Sequence, residues 1–162
     1  MWKKRGLAIV IVLLFFIPIF LSAQTAAELE AVLKAPSVSC ARAAQFVAAS
    51  IGSEAFAESG AESGAASASS QAAFEQALNL GWFPRGTAPD EPITLGKLSF
   101  LVMKAFDMKG GMMYALFPGP RYAFRAMVSR SFIQTTADPA NKPSGETFLI
   151  ILGAVLGARG ED

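Results

Sequence analysis

At 162 residues the chain has room for one ordinary domain and not for two. Fourteen basic residues against thirteen acidic ones leave a formal charge of +1, so the bulk balance draws neither nucleic acid nor an anionic membrane. Histidine is absent and cysteine occurs once, which removes Ser-His-Asp and Cys-His catalysis, thiolate metal centres and any internal disulfide.

The N-terminus is a basic start, Met1 to Arg5, followed by an uncharged apolar run from Gly6 to Leu21 and the small residues Ser22 and Ala23. That order predicts a secretory signal cleaved after Ala23, with residues 24–162 exported to the periplasm or cell envelope as a single helical domain. The run falls short of the ~20 residues that span a bilayer and contains Pro18, which argues against a spanning helix; an uncleaved N-terminal anchor is the alternative to cleavage. Without Lys3, Lys4 and Arg5 the balance becomes eleven basic residues against thirteen acidic.

Thr25 and Glu28 then have the spacing of a capping box, ahead of a short helix whose Leu29, Val32 and Leu33 form one apolar stripe and which Pro36 closes. A second helix is expected from Ser39 to about Ile51, with Cys40 as a small buried side chain. Residues 53–70 are Ala, Ser, Gly and Glu with one aromatic, too little apolar surface to offset ~1–2 kcal/mol per residue of ordering entropy. They read as a flexible surface insertion.

Four further helices are expected. One runs from Gln71 to Leu80, burying Phe74, Ala77 and Leu78 and stopping at Gly81. The next is capped by Thr94 and ended by Gly110-Gly111. A third follows the Pro118-Gly119-Pro120 turn as Arg121–Ser131, and the last is capped by Ser144. Between Gly111 and Pro118 the apolar stretch Met112–Phe117 suggests one or two helical turns. No stretch alternates like a strand.

The organising feature is self-similarity. Counted from the capping residues Thr94 and Ser144, positions four, seven, eight, eleven and twelve read Leu98, Leu101, Val102, Ala105, Phe106 and then Phe148, Ile151, Leu152, Val155, Leu156. From Ser39 the same positions read Ala43, Phe46, Val47, Ser50, Ile51, again one buried helical face. At an offset of fifty residues Ala73-Phe74 matches Ala123-Phe124, Leu78 matches Val128, and Trp82-Phe83 matches Phe132-Ile133. Each unit is a helix, an aromatic-apolar exit, a polar loop containing proline, and a hydroxyl-capped helix.

With Leu80-Gly81-Trp82-Phe83 at the turn and Pro92-Ile93-Thr94-Leu95-Gly96-Lys97-Leu98 opening the second helix, the unit resembles the S-layer homology repeat. The last unit has Ser144-Gly145-Glu146-Thr147-Phe148 at the same place. The resemblance covers residues 73–107 and 123–157, with a weaker partial unit over 25–51. It implies an all-α fold, a small bundle of helix-loop-helix repeats arranged as a pseudo-threefold prism, and attachment to cell-wall polysaccharide. That family carries a binding arginine directly after the capping threonine. Here Leu95, Gly145 and Cys40 stand there, and Lys97 and Thr147 replace its acidic residue, with Glu146 one position early.

Candidate chemistry is sparse. Asp90-Glu91 and Glu161-Asp162 are sequence neighbours, a poor arrangement for an acid–base pair on one bond, and Lys109-Gly110-Gly111-Met112 lacks the length of a phosphate loop. Met112, Met113, Tyr114, Leu116 and Phe117 read as core between two helices, with an adaptable binding surface as the alternative. Arg121 and Tyr122, after the rigid turn, suit stacking on a sugar or a peptide. The candidate ligand-binding set is Trp82, Arg85, Lys97, Arg121 and Tyr122, with no catalytic residue, metal or cofactor. The expected function is a non-enzymatic envelope module binding a cell-wall polymer or envelope component, or else a helical protein–protein adaptor without glycan affinity. Nucleic acid is not an expected partner, and membrane contact is expected only through the N-terminal segment.

Overall fold

The structure, a computed structural model, describes residues 27–51 and 66–159. The expected signal segment, the Thr25 cap and residues 53–65 of the insertion lie outside the described residues. The described chain is all-helical: α1 over 27–33, α2 Cys40–Ile51, α3 Ala66–Asn79, α4 Leu95–Ala105, α5 Met112–Leu116, α6 Pro120–Ser129 and α7 Gly145–Arg159. Among these residues there is no strand, only an isolated antiparallel bridge between Ser39 and Pro92.

The three hydroxyl-capped helices start alike. An α-helix leaves its first amides without intrahelical partners, and each must be satisfied elsewhere. The hydroxyl oxygens of Ser39, Thr94 and Ser144 accept from the amides of Arg42, Lys97 and Thr147 at 3.3, 3.3 and 3.2 Å. The first helical amide of each crosses to a different unit. Cys40 donates to the Glu91 carbonyl at 2.9 Å, Leu95 to that of Asn141 at 2.8 Å, and Gly145 to that of Ala35 at 2.9 Å. The second amide follows in two units, Ala41 to Pro89 and Gly96 to Pro139. Each helix start is thus covered by the loop of the next unit, and the third returns to the first. The connection closes into a ring.

Packing follows the same cycle. α3 lies along α2, and α6 along α4, so the leading helix of each unit rests on the capped helix before it. α1 meets the start of α7, where a Cβ on Gly145 would run into the Val32 carbonyl. The repeated apolar positions fill the centre: Ala43, Val47, Leu98, Leu101, Val102, Phe148 and Val155 are fully enclosed, and Ile151 and Leu152 nearly so. Phe46 meets Phe148 edge-on at 6.1 Å.

The units also leave their leading helices by one device. Gly81 and Ser131 take positive φ (71° and 62°). The next amides, Trp82 and Phe132, reach back to the carbonyls of Ala77 and Met127, which is the Schellman arrangement.

Several expectations are corrected. Leu29 and Leu33 are half exposed, because α1 has only two turns and presents Val32 alone to the core. Leu78 faces outward, and Ala73 with Ala77 takes the contact surface of α3. Residues 66–70 belong to α3, which starts earlier than expected; the Gln45 amide bonds the Ser69 hydroxyl at 3.0 Å and ties that end to α2. α4 ends at Ala105, not at Gly110, because Asp107 already adopts φ 49° and Met108 bonds back to Met103. α6 ends at Ser129 rather than Ser131 for the same reason. Leu156, at position twelve of the last helix, is more than one-third exposed, since no described element packs over the outer side of α7 there.

Candidate functional site

The expected set of five does not gather into one groove. Trp82 packs half-buried against the core at the exit of α3, and Arg85 stands exposed in the loop beyond it. Lys97 is turned to Glu91 in an ion pair of 2.6 Å. That hydrogen bond holds the Glu91 carboxyl below the usual carboxylate range, against a smaller opposing push from burial. Arg121 is exposed on the first turn of α6, and Tyr122 beside it is half-buried. The positions after the three caps, Cys40, Leu95 and Gly145, are all buried. Their amides, with those three residues on, are already bonded, so the helix starts offer a ligand no spare donors there. Burial lifts the Cys40 thiol to about 11, with Lys97 opposing and Glu91 adding to the shift, which leaves a neutral and unreactive sulfur.

The main departure from expectation is α5. Its Met–aromatic stretch is not core. Met112 is 73% exposed, Met113 50%, Leu116 61% and Phe117 65%. The cause is tertiary: α5 packs chiefly on α6, and no residue of its five is buried. Tyr114 is the anchor, half-buried against the core cluster. Gly110 lies under its ring, where any Cβ would overlap the aromatic carbons, so this glycine permits the fold-back that lifts α5 off the bundle.

Between α5 and α6 lies a cleft of about 220 Å³, lined by Gly111, Met113, Tyr114, Tyr122, Arg125, Ala126 and Ser129. Tyr114 contributes to its wall, and the Tyr114 hydroxyl is buried without a hydrogen-bond partner. Burial raises its pKa, and Asp107 adds to the effect, so the phenol keeps its proton and remains a donor. Of the five expected residues this cleft takes in only Tyr122. A second cleft, about 470 Å³, opens where α4, α6 and α7 end. Its two arginines have structural partners: Arg130 donates to the Lys109 carbonyl, and the Arg159 guanidinium lies 5.0 Å from the Phe106 ring centroid. Such cations also offset the negative ends of the helix dipoles.

Arg125 was not legible as a site residue, and the exposed stretch with Tyr114 entered only as the alternative reading of the Met–aromatic residues. One signal was available: residues 95–133 carry six cations and a single carboxylate, Asp107, a segregation that the whole-chain balance hides. Among the described residues no group of three or more His, Cys, Asp or Glu is placed to hold a metal ion. No described helix is long and apolar enough to cross a membrane. Comparison with family models, curated proteins and solved structures finds no match to this chain.

Proposed function

We propose that this chain is a non-enzymatic, exported module of the cell envelope that works by docking, with α5 as its contact surface. The observation that carries the reading is the exposure of four large apolar side chains within six residues, the densest such group among the described residues; Leu29, Leu33, Leu78, Leu80, Ile150 and Leu156 are exposed singly or in pairs elsewhere. Contiguous apolar surface of this kind marks interaction sites more often than idle surface. The ring of capped helices supports a scaffold built from S-layer-homology-like units. In that scaffold the places where the resembling family keeps its binding arginine hold buried Cys40, Leu95 and Gly145, which favours contact through α5 over polysaccharide capture at the caps.

The test is co-sedimentation of the exported protein with separated envelope fractions, membranes and purified wall polymer, for wild type and for Leu116→Ser/Phe117→Ser. Burying each side chain is worth ~1.5–3 kcal/mol, so the double variant should bind its fraction at least about tenfold more weakly. Undiminished binding by a folded double variant overturns the docking reading. Saturable binding to wall polymer, abolished by Arg121→Ala and indifferent to α5, would move the function to polymer recognition.

A further inference from the structure

The docking reading names a surface, and the chemistry around that surface narrows what fits it. Along 112–117 the sequence Met-Met-Tyr-Ala-Leu-Phe has one polar side chain, and its hydroxyl is buried rather than presented outward. Flanking it in the chain are Lys104, Lys109, Arg121, Arg125 and Arg130, and no carboxylate among the described residues lies within ion-pair distance of any of them. Outside residues 95–133 the described chain carries five cations against seven carboxylates, so the positive charge is concentrated in the segment that carries the exposed apolar residues. A second copy of the chain would bring like charge against like charge. An apolar helix flanked in the chain by cations that have no carboxylate partner instead complements a surface whose interior is apolar and whose face is anionic.

The cleft adds an independent element. It runs from Met113 on α5 to Arg125 on α6, so a guanidinium stands beside exposed hydrocarbon. A guanidinium donor suits the oxygens of a phosphodiester. A phospholipid has both halves of that pattern.

Resting on the docking reading, we propose that the partner of α5 is an anionic membrane surface. Met112, Met113, Leu116 and Phe117 enter the interfacial layer, and Arg125 receives a lipid phosphate in the adjoining cleft. The surrounding lysines and arginines hold the module to the surface by long-range attraction, which salt weakens.

The test must see α5 itself, since the N-terminal apolar run could bring the whole chain to vesicles. Cys40 is buried, so an environment-sensitive fluorophore on Leu116→Cys reports on α5, and one on exposed Leu80→Cys reports on a different part of the surface. With vesicles of phosphatidylcholine containing phosphatidylglycerol, the label at 116 should shift to the blue and the label at 80 should not. Pure phosphatidylcholine should produce no shift at either position. Arg125→Ala should weaken the vesicle titration about fivefold, the effect of one basic residue near an anionic surface. Absence of a shift at 116, equal shifts on both vesicle types, or equal shifts at 116 and 80 would each overturn the proposal. A shift at 116 produced by a lipid-free envelope protein fraction, with none on vesicles, would also overturn it while leaving docking intact. A label at 116 that responds to no envelope fraction sinks both readings.

Discussion

The helix starts around Ser39, Thr94 and Ser144 and the short helix α5 answer the same question in opposite ways. In the ring, the early amides that a helix leaves over are taken by a side-chain cap and by a carbonyl from the next unit, and the apolar face behind them is enclosed. In α5 the hydrocarbon faces outward and the hydroxyl inside has no partner. A chain that satisfies its polar groups so fully at one place has the packing resources to hide five more residues. The contrast locates the surface left for another molecule, and each prediction below probes one side of it.

The largest effect is expected at Gly145. The N-terminal segment crosses the start of α7 so closely that an added Cβ would meet the Val32 carbonyl, and backbone cannot yield as a flexible side chain does. Gly145→Ala should break the ring at the contact joining last unit to first. Its cost should exceed ~3 kcal/mol, as overpacking against main chain does at its upper end, read as a lowered midpoint in chemical unfolding. The equivalent residues Cys40 and Leu95 bear side chains, so a tolerated Gly145→Ala would show that the closure is not what holds α1.

Next come the two equivalent core positions. Leu101 and Ile151 are 0% and 3% exposed, and replacement of either by alanine should cost ~2–5 kcal/mol. Because the two sit at matched places in the cycle, their costs should fall within a factor of about two of one another, the usual context scatter for such changes. A large cost at one and none at the other would reduce the repeat to a resemblance of pattern.

These positions also show what could be read in advance. The three caps announced themselves as hydroxyl residues ahead of apolar spacing, and the fifty-residue offset placed Ala73-Phe74 opposite Ala123-Phe124 and Phe83 opposite Ile133, all six of them buried. Spacing identifies a face that some neighbour covers, but it does not name the neighbour. Leu29 and Leu33 have the right spacing with too short a helix, and Met112 to Phe117 have a core composition with chiefly α6 beside them. Gly145 looked like a departure from the repeat pattern, and its cause, a chain crossing from Val32, is a tertiary fact. Arg125 belongs to no motif; only the cleft gives it a role.

A smaller effect tests the polar edge of the ring. The Glu91 pKa lies below the ordinary carboxylate value because Lys97 bonds its charged form, so folding favours the ionised acid. The pair therefore adds stability above the unfolded carboxyl pKa of about 4.3. That contribution is lost as pH falls through the lower folded value. With the carboxylate 39% exposed, solvent screening keeps the contribution under about 1 kcal/mol. Lys97→Met should flatten stability against pH in that acid window and leave the slope elsewhere unchanged; an unaltered acid limb would mean that the contact is not maintained in solution.

The smallest effect is expected in α5, and its smallness is the point. Leu116 and Phe117 are 61% and 65% exposed, so serine at either removes little that folding had buried. Thermal or chemical unfolding of Leu116→Ser should fall within about 0.5 kcal/mol of wild type, the range of substitutions away from structural features. A cost of ~2 kcal/mol or more would mean that α5 folds down onto the bundle in solution and that Leu116 is core after all. Tyr114→Phe sharpens the same comparison from inside. It keeps the ring that anchors α5 and deletes a buried hydroxyl without a partner, a change that relieves a desolvation cost rather than breaking a bond. Stability should therefore hold or rise slightly. A loss would reveal that the hydroxyl is bonded in the free protein.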